Sequence, residues 1–139
     1  MRTYCKFKTE WGLENYLRLL KNKVKRVVLL KFRIGISPLR IETGRYEHGK
    51  RLPPEARICK CCDLQKVEDE VHFFSECPLY IEERSRLRNK IIEFNTYLNN
   101  IGGETFLIEC MKAKEQPIIE AVADFVFRVF SRRERKLCN

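Results

Sequence analysis

Cys59, Cys62, His72 and Cys77 stand near the middle of the chain at the spacing C-x2-C, nine residues, H-x4-C. Three thiolates and an imidazole can close a tetrahedral shell around Zn²⁺ with no position left for water, the donor set of a structural centre rather than a catalytic one. Cys59 and Cys62 are three residues apart, so one tight turn can aim both sulfurs at a single point. His72 and Cys77 are five apart, enough for a turn leading into a helix, and Pro78 suits that helix's first position. A Cys77 thiolate at a helix N-terminus would be favoured by the dipole. Glu68, Asp69 and Glu70 lie just before His72, and one of them is expected to accept its other ring N–H and fix the tautomer. Cys61 abuts Cys62 and is a possible substitute for Cys59 or Cys62, but adjacent residues point apart, so the Cys59 and Cys62 pairing is preferred. Cys5, Cys110 and Cys138 are expected to be thiols with no ligand role, Cys110 among them buried.

The rest of the composition sets the frame for such a site. At 139 residues the chain is expected to form a single domain, 1–139, long enough for a hydrophobic core. Lys or Arg interrupts every apolar run, so nothing approaches the roughly 20 apolar residues of a membrane helix. The Met1–Lys6 start carries charge without an apolar leader, which points to an intracellular protein of nucleus or cytoplasm with no membrane partner. Seven cysteines in a reducing compartment, four at ligand spacing, read as Zn²⁺ rather than disulfides.

The net charge of +9 is unevenly spread. Residues 1–58 hold 15 basic and 5 acidic residues, residues 59–77 hold 2 and 5, and residues 78–139 hold 11 and 9. The balance is thus +10, then −3, then +2. Three thiolates with one divalent ion add a further negative charge to the middle segment. The metal loop is therefore poorly suited to grip phosphate, and the segment before it is well suited.

The positioning elements are mainly α-helical. An N-terminal helical segment over 10–36 is expected from Leu13, Tyr16, Leu17, Leu20 and Val24 at three- and four-residue spacing. Within it, 27–34 is apolar on most sides and reads equally as buried helix or strand, ended by Gly35 and Ser37-Pro38. Residues 37–58 read as a basic irregular loop, broken by Gly44, Gly49 and Pro53-Pro54. Residues 59–77 form the zinc knuckle, a small loop or hairpin. Helices are expected over 78–136: one from about 78 to 98 on Tyr80, Arg84, Leu87, Ile91, Phe94 and Leu98, a shorter one around Glu104 to Lys114, and a last one after Pro117. The last carries Ile118, Val122, Phe125 and Val129 on one face and ends in the polar run Arg132-Arg133-Glu134-Arg135-Lys136. Phe73, Phe74 and Tyr80 can stack on bases, but a loop this short needs them as the core under the metal.

Several runs together resemble a known family. They are Ile41-Glu42-Thr43-Gly44-Arg45-Tyr46, Pro53-Pro54-Glu55-Ala56-Arg57-Ile58-Cys59 with Cys62, Val67 through Phe74, and Cys77-Pro78-Leu79-Tyr80 with Arg84. The chain resembles the cysteine/histidine-rich CCHC region that follows the polymerase domain in non-LTR (LINE-type) retrotransposon reverse transcriptases and in animal open reading frames derived from them. The resemblance is specific from about Lys31 to Arg84. It implies that Cys59, Cys62, His72 and Cys77 are zinc ligands and that the surrounding basic residues contact template RNA or target DNA. The chain holds no Tyr-x-Asp-Asp motif, and no Pro-Asp nuclease motif follows Cys77. The expectation is a detached C-terminal module that neither copies nor cuts nucleic acid.

On this reading Lys25, Arg26, Lys31, Arg33, Arg40, Arg45, Lys50, Arg51 and Arg57 contact phosphates and Tyr46 stacks, giving RNA or DNA binding of low sequence specificity. Singly each is an ordinary surface charge; the cluster carries the expectation. The alternative is a zinc-stabilised helical protein-interaction module, docking on a polymerase domain or another protein, with no nucleic-acid binding of its own. An enzyme is the least expected class. Glu68-Asp69-Glu70 can be imagined around Mg²⁺, but a solvated acidic turn is commoner and no nucleophile has a matching base. His48 reads as a loop histidine.

Overall fold

In a computed structural model, which describes residues 3–139, the chain forms eight α-helices and a single two-stranded sheet among the described residues. The mainly α class holds, with the metal loop lying between helices. None of the described helices is long and apolar enough to cross a membrane.

The N-terminal region is more broken than its periodicity suggests. Helices α1 (Tyr4–Phe7) and α2 (Asn15–Leu19) are short, and α3 (Lys23–Arg33) is the first of substantial length. The Asn22 side chain accepts the Lys25 N–H at 3.1 Å and caps α3, so the helix expected to run through this point restarts here. Leu13 and Val24, expected on an apolar face, are 67% and 59% exposed. Residues 27–33 are helical, not strand, and bury Leu29, Phe32 and Arg33. Gly35, at φ +74°, and Ile36 donate to the Phe32 and Lys31 carbonyls and close α3 with a Schellman motif.

The stretch expected to be irregular contains short regular pieces. Helix α4 (Arg40–Thr43) is followed by strands β1 (Tyr46–Glu47) and β2 (Lys50–Arg51), paired antiparallel with Tyr46 opposite Arg51 and Glu47 opposite Lys50. His48 and Gly49, at φ +50° and +76°, make the two-residue connection. Two consecutive positive φ values are what a mirror-image hairpin turn requires. A 3₁₀ turn at Pro54–Ala56 leads into the metal loop.

Beyond the loop, Pro78–Tyr80 is a 3₁₀ turn that feeds α5 (Ile81–Ile91). The helix expected to reach residue 98 stops there. Asn95 accepts the Tyr97 N–H at 3.1 Å and starts a separate α6 (Thr96–Asn99), which leaves Phe94 52% exposed. Arg88 stitches this break, donating to the carbonyls of Leu98, Asn99 and Ile101 while lying 3.9 Å from the Phe106 ring centroid. Helix α7 (Gly103–Lys112) then leads to α8 (Gln116–Cys138), which has Pro117 in its first turn. Helix α8 packs against both α3 and α5, so its buried face is wide and includes Ile118, Val122, Phe125, Val126 and Val129. An aromatic cluster joins the layers: Phe73 lies 4.4 Å from Phe130 and 5.4 Å from Phe32, and Phe74 lies 4.9 Å from Phe125 between ring centroids.

Candidate metal centre

The loop from 57 to 68 folds back on itself as a hairpin. Ile58 bridges Val67, Cys59 N–H donates to the Lys66 carbonyl at 2.8 Å, and Glu68 N–H donates to the Arg57 carbonyl at 3.0 Å. This pairing sets Cys59 at the mouth of the turn that carries Cys62. The chain then enters a π-helical turn, His72–Glu76, closed by Cys77 N–H on the His72 carbonyl at 2.8 Å. The wider turn seats Phe73 and Phe74 in the core, both at 0% exposure, and swings His72 toward the sulfurs. The aromatic pair is thus core and unavailable for stacking, as is Tyr80 at 1%.

These elements bring Cys59, Cys62, His72 and Cys77 together, with their ligand atoms all within 4.8 Å of one another. Bond lengths of about 2.0–2.3 Å to nitrogen and sulfur give a tetrahedron with edges of roughly 3.5–3.8 Å, so a small contraction closes the shell. Cys62 Sγ is already 3.4 Å from His72 Nε2. Cys59, Cys77 and His72 are buried and Cys62 is partly buried, so the cluster faces away from solvent. The Cys61 N–H points to Cys59 Sγ at 3.4 Å, the backbone support a thiolate ligand needs.

The electrostatics are those of thiols crowded around one shared sulfur. The Cys59 thiol is held far below its usual range by side-chain hydrogen bonds from Cys61 and Cys77, and by His72. The same contact with Cys59, and then burial, pushes Cys61 and Cys77 up; burial raises Cys62. Burial penalises the His72 imidazolium, yet its pKa lies above the ordinary value because the Cys59 thiolate and the Glu76 carboxylate favour the proton. One thiolate therefore serves three neighbours. A soft divalent cation would take the place of those protons and let all the sulfurs ionise, so the donor set fits a metal ion.

The carboxylate beside the histidine is not one of the three expected. His72 Nδ1 faces Glu76 Oε2 at 3.6 Å and has no hydrogen bond. Asp69 instead accepts the His72 backbone N–H at 2.8 Å and caps the π turn. Nor is the acidic run a solvated turn, since Glu68 and Glu70 are each 1% exposed. Glu68 accepts two hydrogen bonds from Arg133, each 2.7 Å, and one from the Arg40 N–H at 2.8 Å. Arg133 belongs to the polar end of the last helix in the sequence, yet it is buried. It continues the stripe of Val126 and Val129 at three- and four-residue steps, the signal by which its burial was legible. Cys61 stands outside the four-residue group, buried on the far side of Cys59, with its thiol near Glu68.

The ten residues expected to touch nucleic acid divide sharply. Arg33 and Arg57, contrary to expectation, cannot reach phosphate: both are buried, at 3% and 7%, and held internally. Arg33 pairs with Glu14 and donates to the Met111 carbonyl, whereas Arg57 donates to the carbonyls of Ile41 and Leu52. Lys25 pairs with Asp124 at 2.7 Å, Arg26 donates to the Leu20 carbonyl, and Arg40 pairs with Glu47 at 3.2 Å. Arg45, Tyr46, Lys50 and Arg51 are exposed together on or beside the β1–β2 hairpin, and Arg45 there pairs with Glu42. Lys31 is exposed on α3, away from this group in sequence. Compared with protein-family models, curated proteins and solved structures, the chain has no significant match.

Proposed function

We propose that this chain is a non-catalytic module built on a structural Zn²⁺ centre, which binds RNA or DNA with low sequence specificity through the β1–β2 hairpin. It would be of the kind that follows the polymerase domain in non-LTR retrotransposon reverse transcriptases, working in the nucleus or cytoplasm, where thiols stay reduced. The resemblance carried by residues 41–84 supports the ancestry, and the closed three-sulfur, one-nitrogen donor set supports zinc over a catalytic metal.

The carrying observation is the hairpin face. Tyr46 is 69% exposed and lies directly across the strand pair from Arg51, an aromatic and a guanidinium side by side. The side chains of Lys50 and Arg51 have no ion-pair partner among the described residues. Such a face can stack on a base while cations meet the backbone. The absence of a catalytic role is supported by the burial of Glu68 against Arg133, which removes it from any Mg²⁺. Fluorescence anisotropy with labelled RNA and DNA across a salt series tests the reading. A log–log slope of about −2 to −4 is expected, falling in magnitude by about 2 in Lys50→Glu/Arg51→Glu. Affinity indifferent to salt and to that double variant would refute it.

One observation favours the protein-interaction alternative. Ile92, Phe94 and Tyr97 are 40%, 52% and 57% exposed around the α5–α6 break. If they cover a partner, Phe94→Ser should abolish concentration-dependent association in sedimentation while leaving nucleic-acid binding unchanged.

A further inference from the structure

A cavity of about 400 Å³ lies between the segment 8–14 and the end of α7. Its floor is apolar, with Phe7, Leu29, Met111, Ile119 and Val122, and into this floor are set two polar side chains, Arg33 and Tyr16. Both are buried, at 3% and 4%. Arg33 uses Nη1 on the Met111 carbonyl and Nη2 on Glu14, but its Nε–H has no hydrogen-bond partner, and neither does the Tyr16 hydroxyl. A buried donor without an acceptor is destabilising, so two in one cavity wall are an anomaly that a ligand would relieve.

We propose that this cavity binds an uncharged molecule with an apolar or aromatic body and a carbonyl oxygen, which accepts from Arg33 Nε and Tyr16 OH. The class follows from charge and shape. Glu14 already neutralises Arg33, so an anionic head would place a second negative charge beside Glu14 in a desolvated corner. Burial pushes the Tyr16 pKa up to about 12, which keeps the phenol a donor at neutral pH. A single water can satisfy two polar atoms but leaves most of a volume this size unfilled. The rim is polar and adjustable: Lys114 pairs with Glu10 at 3.2 Å and Lys8 donates to the Gly12 carbonyl at 2.7 Å.

Trp11, the chain's one tryptophan, lines this rim and is fully exposed, so its fluorescence reports on occupancy. Benzamide and benzoate, matched in body and differing in charge, are titrated to millimolar concentrations, with amide shifts of Tyr16 and Met111 followed by NMR. Saturable binding of benzamide in preference to benzoate is expected. Tyr16→Phe, which removes only the hydroxyl, should weaken it by about 2- to 12-fold, the worth of one neutral hydrogen bond. Ala113→Phe, on the cavity wall, should abolish it by filling the volume. Preference for benzoate, no saturable binding by either probe, or equal affinity in wild type and Ala113→Phe would overturn the proposal.

Discussion

Arg133→Met tests how the metal loop is attached to the rest of the molecule. The Arg133 guanidinium grips Glu68 with two bonds of 2.7 Å, and their side chains are 7% and 2% exposed. Methionine keeps most of the apolar stem and removes the charge. Glu68 then keeps only the Arg40 N–H and a long contact from the Cys59 thiol at 4.0 Å, for a carboxylate shut off from water. Breaking a buried pair from one side costs about 3–5 kcal/mol. With unfolding entropy near 2.1 cal/mol/K per residue, that corresponds to a fall in Tm of roughly 10–17 °C for a chain of this length. Removing both charges in Arg133→Met/Glu68→Gln should recover more than about 1.5 kcal/mol of the summed single losses, because no buried charge is left alone. Urea and thermal unfolding of the metal-loaded protein, followed by circular dichroism, measure the cycle. A single variant within about 1 kcal/mol of wild type, or a cycle that is additive, would refute the claim that this pair fastens the metal loop to α8.

Chelation of the metal should loosen the 57–80 region while α5 and α8 retain helix, read as a partial loss of far-ultraviolet ellipticity and a broader melt; unchanged melting after exhaustive chelation contradicts it. Cys62→Ser should reproduce that state, with metal content by mass spectrometry falling to background. Asp124 gives a pH test. Burial opposes its ionisation, but Lys25 at 2.7 Å and Arg128 at 2.8 Å hold its pKa below the ordinary value. Its contribution is therefore fully present above the unfolded pKa of about 3.9 and is lost as pH falls through the lower folded value. Because the ion pairs are solvent-screened, Asp124→Asn should cost about 1 kcal/mol or less at neutral pH, with the difference from wild type closing below about pH 4; a gap that widens on acidification is incompatible with this assignment.

What could be read from the sequence was what depends on residue type and local spacing. The clustering of Cys59, Cys62, His72 and Cys77, the stop at Gly35, the core role of Phe73 and Phe74 and the face of α8 are all of this kind. The failures share a cause: a side chain whose partner is distant in sequence or competes with the helix. Asn22 and Asn95 cap new helices where apolar periodicity ran on, because a short amide side chain satisfies N–H groups the helix would otherwise use. Arg33, Arg57 and Arg133 read as surface charge because Met111, Ile41 and Glu68 lie 78, 16 and 65 residues away from them. The π turn has no periodic signature, and it changes which residues reach the metal side. His48-Gly49 was legible as a turn only to a reader who allows histidine a positive φ.

Under the proposed function, the charge partition and the geometry leave the metal loop an indirect part in binding. None of the exposed hairpin cations is a ligand, yet the hairpin is tied to the loop by Lys60, which pairs with Glu47 at 2.9 Å, and through α4 by the Ile41 N–H on the Glu68 carbonyl at 3.1 Å. Glu68 in turn is fastened to α8. The metal would then set the pose of Arg45, Tyr46, Lys50 and Arg51 without touching nucleic acid. Two perturbations separate pose from contact. Lys50→Glu/Arg51→Glu should lower affinity and flatten the salt dependence with the melt unchanged, because both side chains are exposed and hold no internal partner. Chelation should lower affinity with the salt slope largely kept, because the cations remain while their arrangement is lost. A chelated protein that binds as tightly as the metal-loaded one would show that the hairpin needs no clamp, and the metal would then serve the fold alone.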